Sequence, residues 1–138
     1  MPCLFAAHAI CVRLLHVLTV IGTDIRNMTP IMTETLLNKD VITIQQDYTA
    51  KPGDQLAMCG GTTAWVRYLS DKRVAVGLPN LGTASASMDV CFSSLNINPK
   101  GVKVYDVWKK KDFGAVDDKY SATVDVHDTL LLLLTPAA

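Results

Sequence analysis

The 138-residue chain carries 13 basic and 13 acidic side chains, a formal net charge of zero, and 49% hydrophobic residues. Charge balance argues against a nucleic-acid surface or an anionic-membrane partner, and the apolar fraction excludes a disordered chain. Length allows one ordinary domain, or one small domain plus part of another, and with aromatics at 7% the core must rest on Val, Leu, Ile and Ala.

Residues 1–21, MPCLFAAHAICVRLLHVLTVI, are apolar but lack a basic leading region, contain Arg13 and two histidines, and show no clear small-residue cleavage site. They predict neither a clear signal peptide nor a spanning helix, and read as a buried strand or helix or a mis-started coding sequence. His8 and His16 lie near Cys3 and Cys11, but no C-x-x-C pair occurs and no zinc spacing is matched. Cys59 and Cys91 both fall in apparent strands, so a disulfide between them stays open, as does the redox compartment.

Next, VIGTDIRNMTP (20–30) ends an apolar run at a glycine and gathers Asp24, Arg26 and Asn27. Charged groups just past a strand end often line an active site. Thr29 and Pro30 read as an N-cap and first helical residue, because proline has no N–H to lose there. A short helix through Ile31, Leu36 and Leu37 follows, ending at Asn38. VITIQQD (41–47) is ambiguous between strand and helix.

Beyond Tyr48 the pattern changes. KPGD (51–54) and CGG (59–61) are turn signals, and short β-type runs follow at 63–69, 73–79, 86–92, 101–108, 120–126 and 128–135. Val66 and Tyr68 share one face of their strand, opposite Trp65, Arg67 and Leu69. Leu130 to Leu134 predict a strand buried on both faces. Six or seven strands with hairpin-length connections predict an antiparallel β-sandwich.

Chemistry is harder to find. The neighbouring acids Asp117–Asp118 and Asp125–Asp128 are the first candidates, but Asp117 and Asp118 could converge only in a loop and read as solvated turn residues, and the lysines at 109–111 as a solvated loop lacking the glycines or helix start of a phosphate site. Ser70, Asp71 and His127 form no nucleophile–base–orienter order. No catalytic, substrate-binding or metal residue and no cofactor is assigned. Trp65, Tyr68, Tyr105 and Trp108 are the candidates for an aromatic sugar-binding platform, against their use in packing.

One further signal is in the order of the motifs. IGTDIRNMTPIMTETLLNKDVITIQQD (21–47) resembles the segment that closes the (β/α)8 barrel in α-galactosidases of glycoside hydrolase family 27. Gly22, Asp24, Arg26 and Met28 match its G-x-D-x-R-x-M/I stretch. Asn38, Lys39, Val41, Ile42, Ile44, Gln46 and Asp47 match its N-K-x-V-I-x-I/V-x-Q-D run. WVRYLSDKRVAVGLPNLG resembles W-x-R-x-L-S-D-G-x-x-A-V-A-L-x-N-R-G, and VYDVWKKKDFG with YSATVDVHDTLLLLLTP resembles the family's closing motifs. Tyr48 stands for a usual proline, Pro79 for an aromatic or leucine, and Asp128 for the glycine after His127.

The resemblance implies a mainly β chain: a C-terminal antiparallel β-sandwich (48–138), preceded by a remnant of a (β/α)8 barrel, its last strand and helix (20–47), and by a non-matching apolar segment (1–19). It implies a fragment of a retaining α-galactosidase, which hydrolyses terminal α-D-galactosyl residues. The two catalytic aspartates lie on earlier barrel strands that nothing here matches. Gly22, Asp24, Arg26, Gln46 and Asp47 are then structural motif residues. The alternative is a stand-alone carbohydrate-binding β-sandwich. Galactoside or another carbohydrate is the partner of the parent enzyme, with no nucleic acid and no membrane. Family membership implies a secreted, vacuolar or lysosomal location. The barrel remnant, without its neighbours, is expected to be poorly ordered or promiscuously packed and to promote self-association.

Overall fold

The computed structural model describes residues 24–49 and 51–137. Two short helices come first, α1 (Pro30–Leu36) and α2 (Lys39–Gln45). Eight strands follow: β1 (Asp54–Ala57), β2 (Thr63–Tyr68), β3 (Val74–Pro79), β4 (Ala86–Cys91), β5 (Val102–Asp106), β6 (Lys111–Val116), β7 (Lys119–Val124) and β8 (Thr129–Thr135). They form two antiparallel sheets, one of six strands in the order β1-β2-β3-β8-β5-β6 and one of two, β4 and β7. The strand expected near Val20 lies outside the described residues.

The leucine run explains the layering. β8 is central in the large sheet, between β3 and β5, and its side chains alternate between faces. Leu130, Leu132 and Leu134 enter the inter-sheet core with Val66, Val76, Val90, Phe92 and Val104. Leu131 and Leu133 point the other way, into a second cluster with Val41, Ile44, Leu69, Ala75 and Val107. The strand is buried on both faces, as its sequence predicts. One face meets the small sheet and the other meets α2.

The ambiguous VITIQQD run is helical through Gln45, because Val41 and Ile44, three residues apart, share one helix face and cover the leucines. Over α2 this corrects the expectation of a poorly ordered or promiscuously packed barrel remnant: the sheet's outer face is apolar, and α2 is the element that removes it from water. Asn38, 5% exposed, latches the helix start. Its Oδ1 accepts from Asp40 N (3.0 Å) and Val41 N (3.4 Å), while its Nδ2 donates to Val107 O (3.3 Å). Tyr105 adds a bond from its hydroxyl to Asp40 Oδ2 at 3.1 Å. α1 differs. Thr29 Oγ1 caps it by accepting from Met32 N, but it has no buried residue, and Ile31 and Leu37 beside it are exposed.

Two strands escape the sequence pattern. β6 begins at Lys111, the last of the three lysines that read as a loop, and β1 begins at Asp54, the last residue of KPGD. Both are edge strands, where one face and one row of backbone groups meet solvent and charge is no handicap. Cys59, in the Cys59–Gly61 turn between β1 and β2, is joined by a disulfide to Cys91 at the end of β4, with a Cα–Cα distance of 5.9 Å. The bridge ties the small sheet to the large one.

Candidate functional site

The Asp24 cluster sits on a single-turn 3-10 helix, Ile25–Asn27, that Asp24 caps. Arg26 Nε donates to Asp24 Oδ1 at 3.0 Å and Arg26 Nη2 to Oδ2 at 3.1 Å, a bidentate pair. Arg26 N also reaches Oδ1, and Asn27 Nδ2 reaches Oδ2 at 3.3 Å. The Arg26 side-chain bond, followed by its backbone bond, holds the Asp24 carboxyl below the usual aspartate range. Four donors occupy a carboxylate that a nucleophile would need exposed on one oxygen. Both side chains are solvent-exposed. Gly22 lies outside the described residues.

Asp47 is the more elaborate site. It follows α2, and its carboxylate accepts from Thr49 N (3.1 Å), Thr49 Oγ1 (2.7 Å), Ser70 Oγ (2.6 Å) and, through both oxygens, Ser70 N. Burial pushes its pKa up, but the Ser70 and Thr49 hydroxyls and backbone N–H groups together outweigh that and hold it well below the usual range. Beside it, Arg67 is fully buried. Its Nη1 donates to Gln45 O and its Nη2 to Asp47 O, each at 3.4 Å, so the guanidinium takes up carbonyls at the end of α2 that the helix itself leaves open. Burial lowers the Arg67 pKa while the Asp47 charge raises it. Gln46 closes the helix through its backbone N–H to Ile42 O, and its side chain is exposed. The whole arrangement binds the helix to the β2–β3 hairpin.

The remaining candidates are dispersed. Ser70 Oγ is committed to Asp47, and His127 lies at the opposite end of the sheet: Val74, after the Ser70 turn, pairs with Leu134, whereas Pro79 pairs with Thr129. Asp117 Oδ1 accepts from Gly101 N, Asp125 Oδ1 from Ser85 Oγ, and Asp128 Oδ1 from Thr129 N. Asp128 caps its own turn, while Asp117 and Asp125 tie their loops to neighbouring ones. Among the described residues, no three His, Cys, Asp or Glu side chains gather as a metal-binding set. The Cys3, His8, Cys11 and His16 group lies outside them. Trp65, Tyr105 and Trp108 pack against the outer cluster, and the Tyr68 hydroxyl donates to Leu95 O at 3.0 Å, so the four rings are held by packing and bonding rather than presented together. Sequence reasoning missed Asn38, Thr49, Arg67 and Ser70 as latch residues. The available signals were the family motifs that Asn38, Arg67 and Ser70 match and the alternation in TAWVRYL that sets Arg67 on the same face as Trp65 and Leu69.

The described residues thus form a two-sheet antiparallel β-sandwich that carries a docked helix on its outer face. The chain matches, over residues 59–134, the family described as the alpha galactosidase C-terminal beta sandwich domain, and it belongs to that family. An alpha-galactosidase of Coffea arabica is 34% identical over 117 residues, covering 84% of this chain and 31% of the relative. Alpha-galactosidase 2 of Arabidopsis thaliana is 34% identical over 116 residues, covering 83% and 29%. The crystal structure of alpha-galactosidase I from Mortierella vinacea superposes with a TM-score of 0.91 at 23% identity, covering 100% of this chain and 36% of that one. An α-galactosidase from Saccharomyces cerevisiae with raffinose gives 0.86 at 14%, covering 99% and 44%. The chain thus spans about a third of the length of the curated relatives it matches.

Proposed function

We propose that this chain is the C-terminal part of an α-galactosidase, contributing the sandwich while the hydrolysis of terminal α-D-galactosyl groups belongs to a barrel not contained in it. The observation that carries this reading is the match over the sandwich together with the commitment of Asp24 and Asp47. A retaining glycosidase needs two carboxyl groups about 5–5.5 Å apart, one to attack the anomeric carbon and one to shuttle the proton. Here Asp24 holds a bidentate arginine and Asp47 holds a hairpin, so neither is available to a sugar. The purified 138-residue chain is expected to release no nitrophenol above background from p-nitrophenyl α-galactoside. Turnover that vanishes in Asp24→Asn would overturn the reading.

The same reading makes α1 a helix whose natural cover is the rest of a barrel. Ile31 and Leu37 are 57% and 59% exposed, and apolar surface of this kind drives association. The chain is expected to sediment as oligomers that shift toward monomer in Ile31→Lys/Leu37→Lys, and a strictly monomeric parent chain would count against it. The Cys59–Cys91 bridge supports the secreted, vacuolar or lysosomal location, since disulfides persist in oxidising compartments.

A further inference from the structure

The end of the sandwich where β3 stops and β8 starts carries an apolar projection beside a recess. Leu81, in the loop after β3, is 80% exposed, and Val126, in the loop before β8, is 37% exposed. Leu81 stands where the family's A-V-A-L-x-N-R-G motif has arginine. Pro79 and Asp128, two further departures from the family pattern, flank it: Pro79 pairs with Thr129, and Asp128 O accepts from Asn80 N at 2.9 Å. The loop is firmly held. Asn80 is 2% exposed, its Nδ2 donates to Ala84 O and Val124 O, each at 2.9 Å, and its Oδ1 accepts from Gly82 N at 3.0 Å. His127 N donates to Asn80 O at 3.1 Å and ties in the loop of Val126. A lone exposed leucine needs no explanation, but one fixed on a fully bonded loop next to a recess does.

The recess, of about 150 Å³, is lined by Trp108, Lys109, Thr123, Val124, Asp128 and Leu130, among others. It abuts the Leu81 loop, because Val124 and Asp128 in its wall supply two of the carbonyls that Asn80 bonds. Its volume equals several waters at about 30 Å³ each, enough for the four carbon atoms of a leucine side chain. Leu81 of the same chain, standing in water, does not fill it. We infer that a second copy of this chain does: two chains pair about a two-fold axis, each seating its Leu81 in the recess of the other. A projection and a recess side by side on one surface are what a two-fold contact requires, since each residue pair across it is made twice. Charge favours the same pairing. Lys109 is exposed at the recess, and Asp125, whose Oδ1 accepts from Ser85 Oγ at 2.9 Å, lies on the side of the Leu81 loop. A mate that delivers Leu81 therefore brings an acid toward a lysine, and the formally neutral chain opposes its copy with no net repulsion. The contact uses the sandwich and needs no barrel.

Sedimentation velocity of the full-length Ile31→Lys/Leu37→Lys chain, in which α1 carries charge in place of its exposed apolar pair, reads this contact by itself. A monomer–dimer equilibrium with a dissociation constant of about 10–100 µM is expected. Adding Leu81→Arg removes two seated leucines per dimer and is expected to weaken pairing about a hundredfold, about tenfold for each. Thr123→Trp fills the recess from its wall and is expected to weaken pairing comparably with Leu81 intact. Both positions are exposed, so the melting temperature should stay unchanged in either variant. A monomer at every concentration, a dimer that survives either substitution, or assembly that grows past the dimer would each overturn the proposal. Turnover of α-galactosides, read in a separate assay, has no bearing on these outcomes.

Discussion

Cys59→Ser is expected to destabilise the folded chain by about 3–4 kcal/mol, the entropy gained by the unfolded chain when a loop of this length is released. The bridge spans 32 residues, from the β1–β2 turn to the end of β4, and closes the connection on which the two sheets are hung. Sheet β4–β7 has only two strands, too few to stand alone in water. Its attachment to the large sheet rests on Val90, Phe92 and Val124 in the shared core and on this covalent tie. Cys59 is the better position to replace, because it is exposed whereas Cys91 is 7% exposed. Serine at position 59 stays in water, and Cys91 remains as a small buried hydrophobe. Equilibrium unfolding in urea measures the loss. The parent chain with dithiothreitol should unfold at the midpoint of the variant. Coincident midpoints for oxidised, reduced and substituted protein would show that the bridge is not a stabilising tie.

Asp47→Ala is expected to cost about 2–4 kcal/mol at neutral pH, from the loss of charge-assisted bonds to Ser70 and Thr49 and the strain on their unpaired donors. The loss also removes the negative charge beside buried Arg67. The pH dependence identifies the charge as the agent. The Asp47 pKa is depressed in the folded chain, so folding holds the ionised form more tightly than the unfolded chain does. That contribution is fully present above the ordinary aspartate pKa of about 3.9 and is lost as pH falls through the lower folded value. The stability gap between parent and Asp47→Ala should therefore be constant from neutral pH down to about pH 5 and narrow below about pH 4. A gap that is absent at pH 7, or that widens in acid, would show that the carboxylate is not what holds the hairpin to the helix.

The same residues mark how far the sequence carries. Alternation in TAWVRYL and the unbroken leucines 130–134 are enough to place strands, to give faces to Val66 and Trp65, and to predict a strand covered on both sides, because a period of two is written directly into side-chain polarity. The order of motifs is enough to name the family. Thr29 and Pro30 mark a helix start, because capping is chemistry between neighbours. The edge strands β1 and β6 are invisible, since nearly every residue in them is exposed and no buried face imposes a pattern. VITIQQD is undecided in isolation, since a seven-residue run of Val, Ile and Thr fits either period. Only the tertiary structure makes it a helix, by offering the outward leucines of β8 as the surface that Val41 and Ile44 must cover. Asn38, Arg67 and Ser70 acquire their roles in the same way, through partners 69, 22 and 23 residues away. Local polarity determined the strands of this protein; contacts between segments distant in the chain decided what lies on top of them, because a buried face constrains its cover only once both have been brought together.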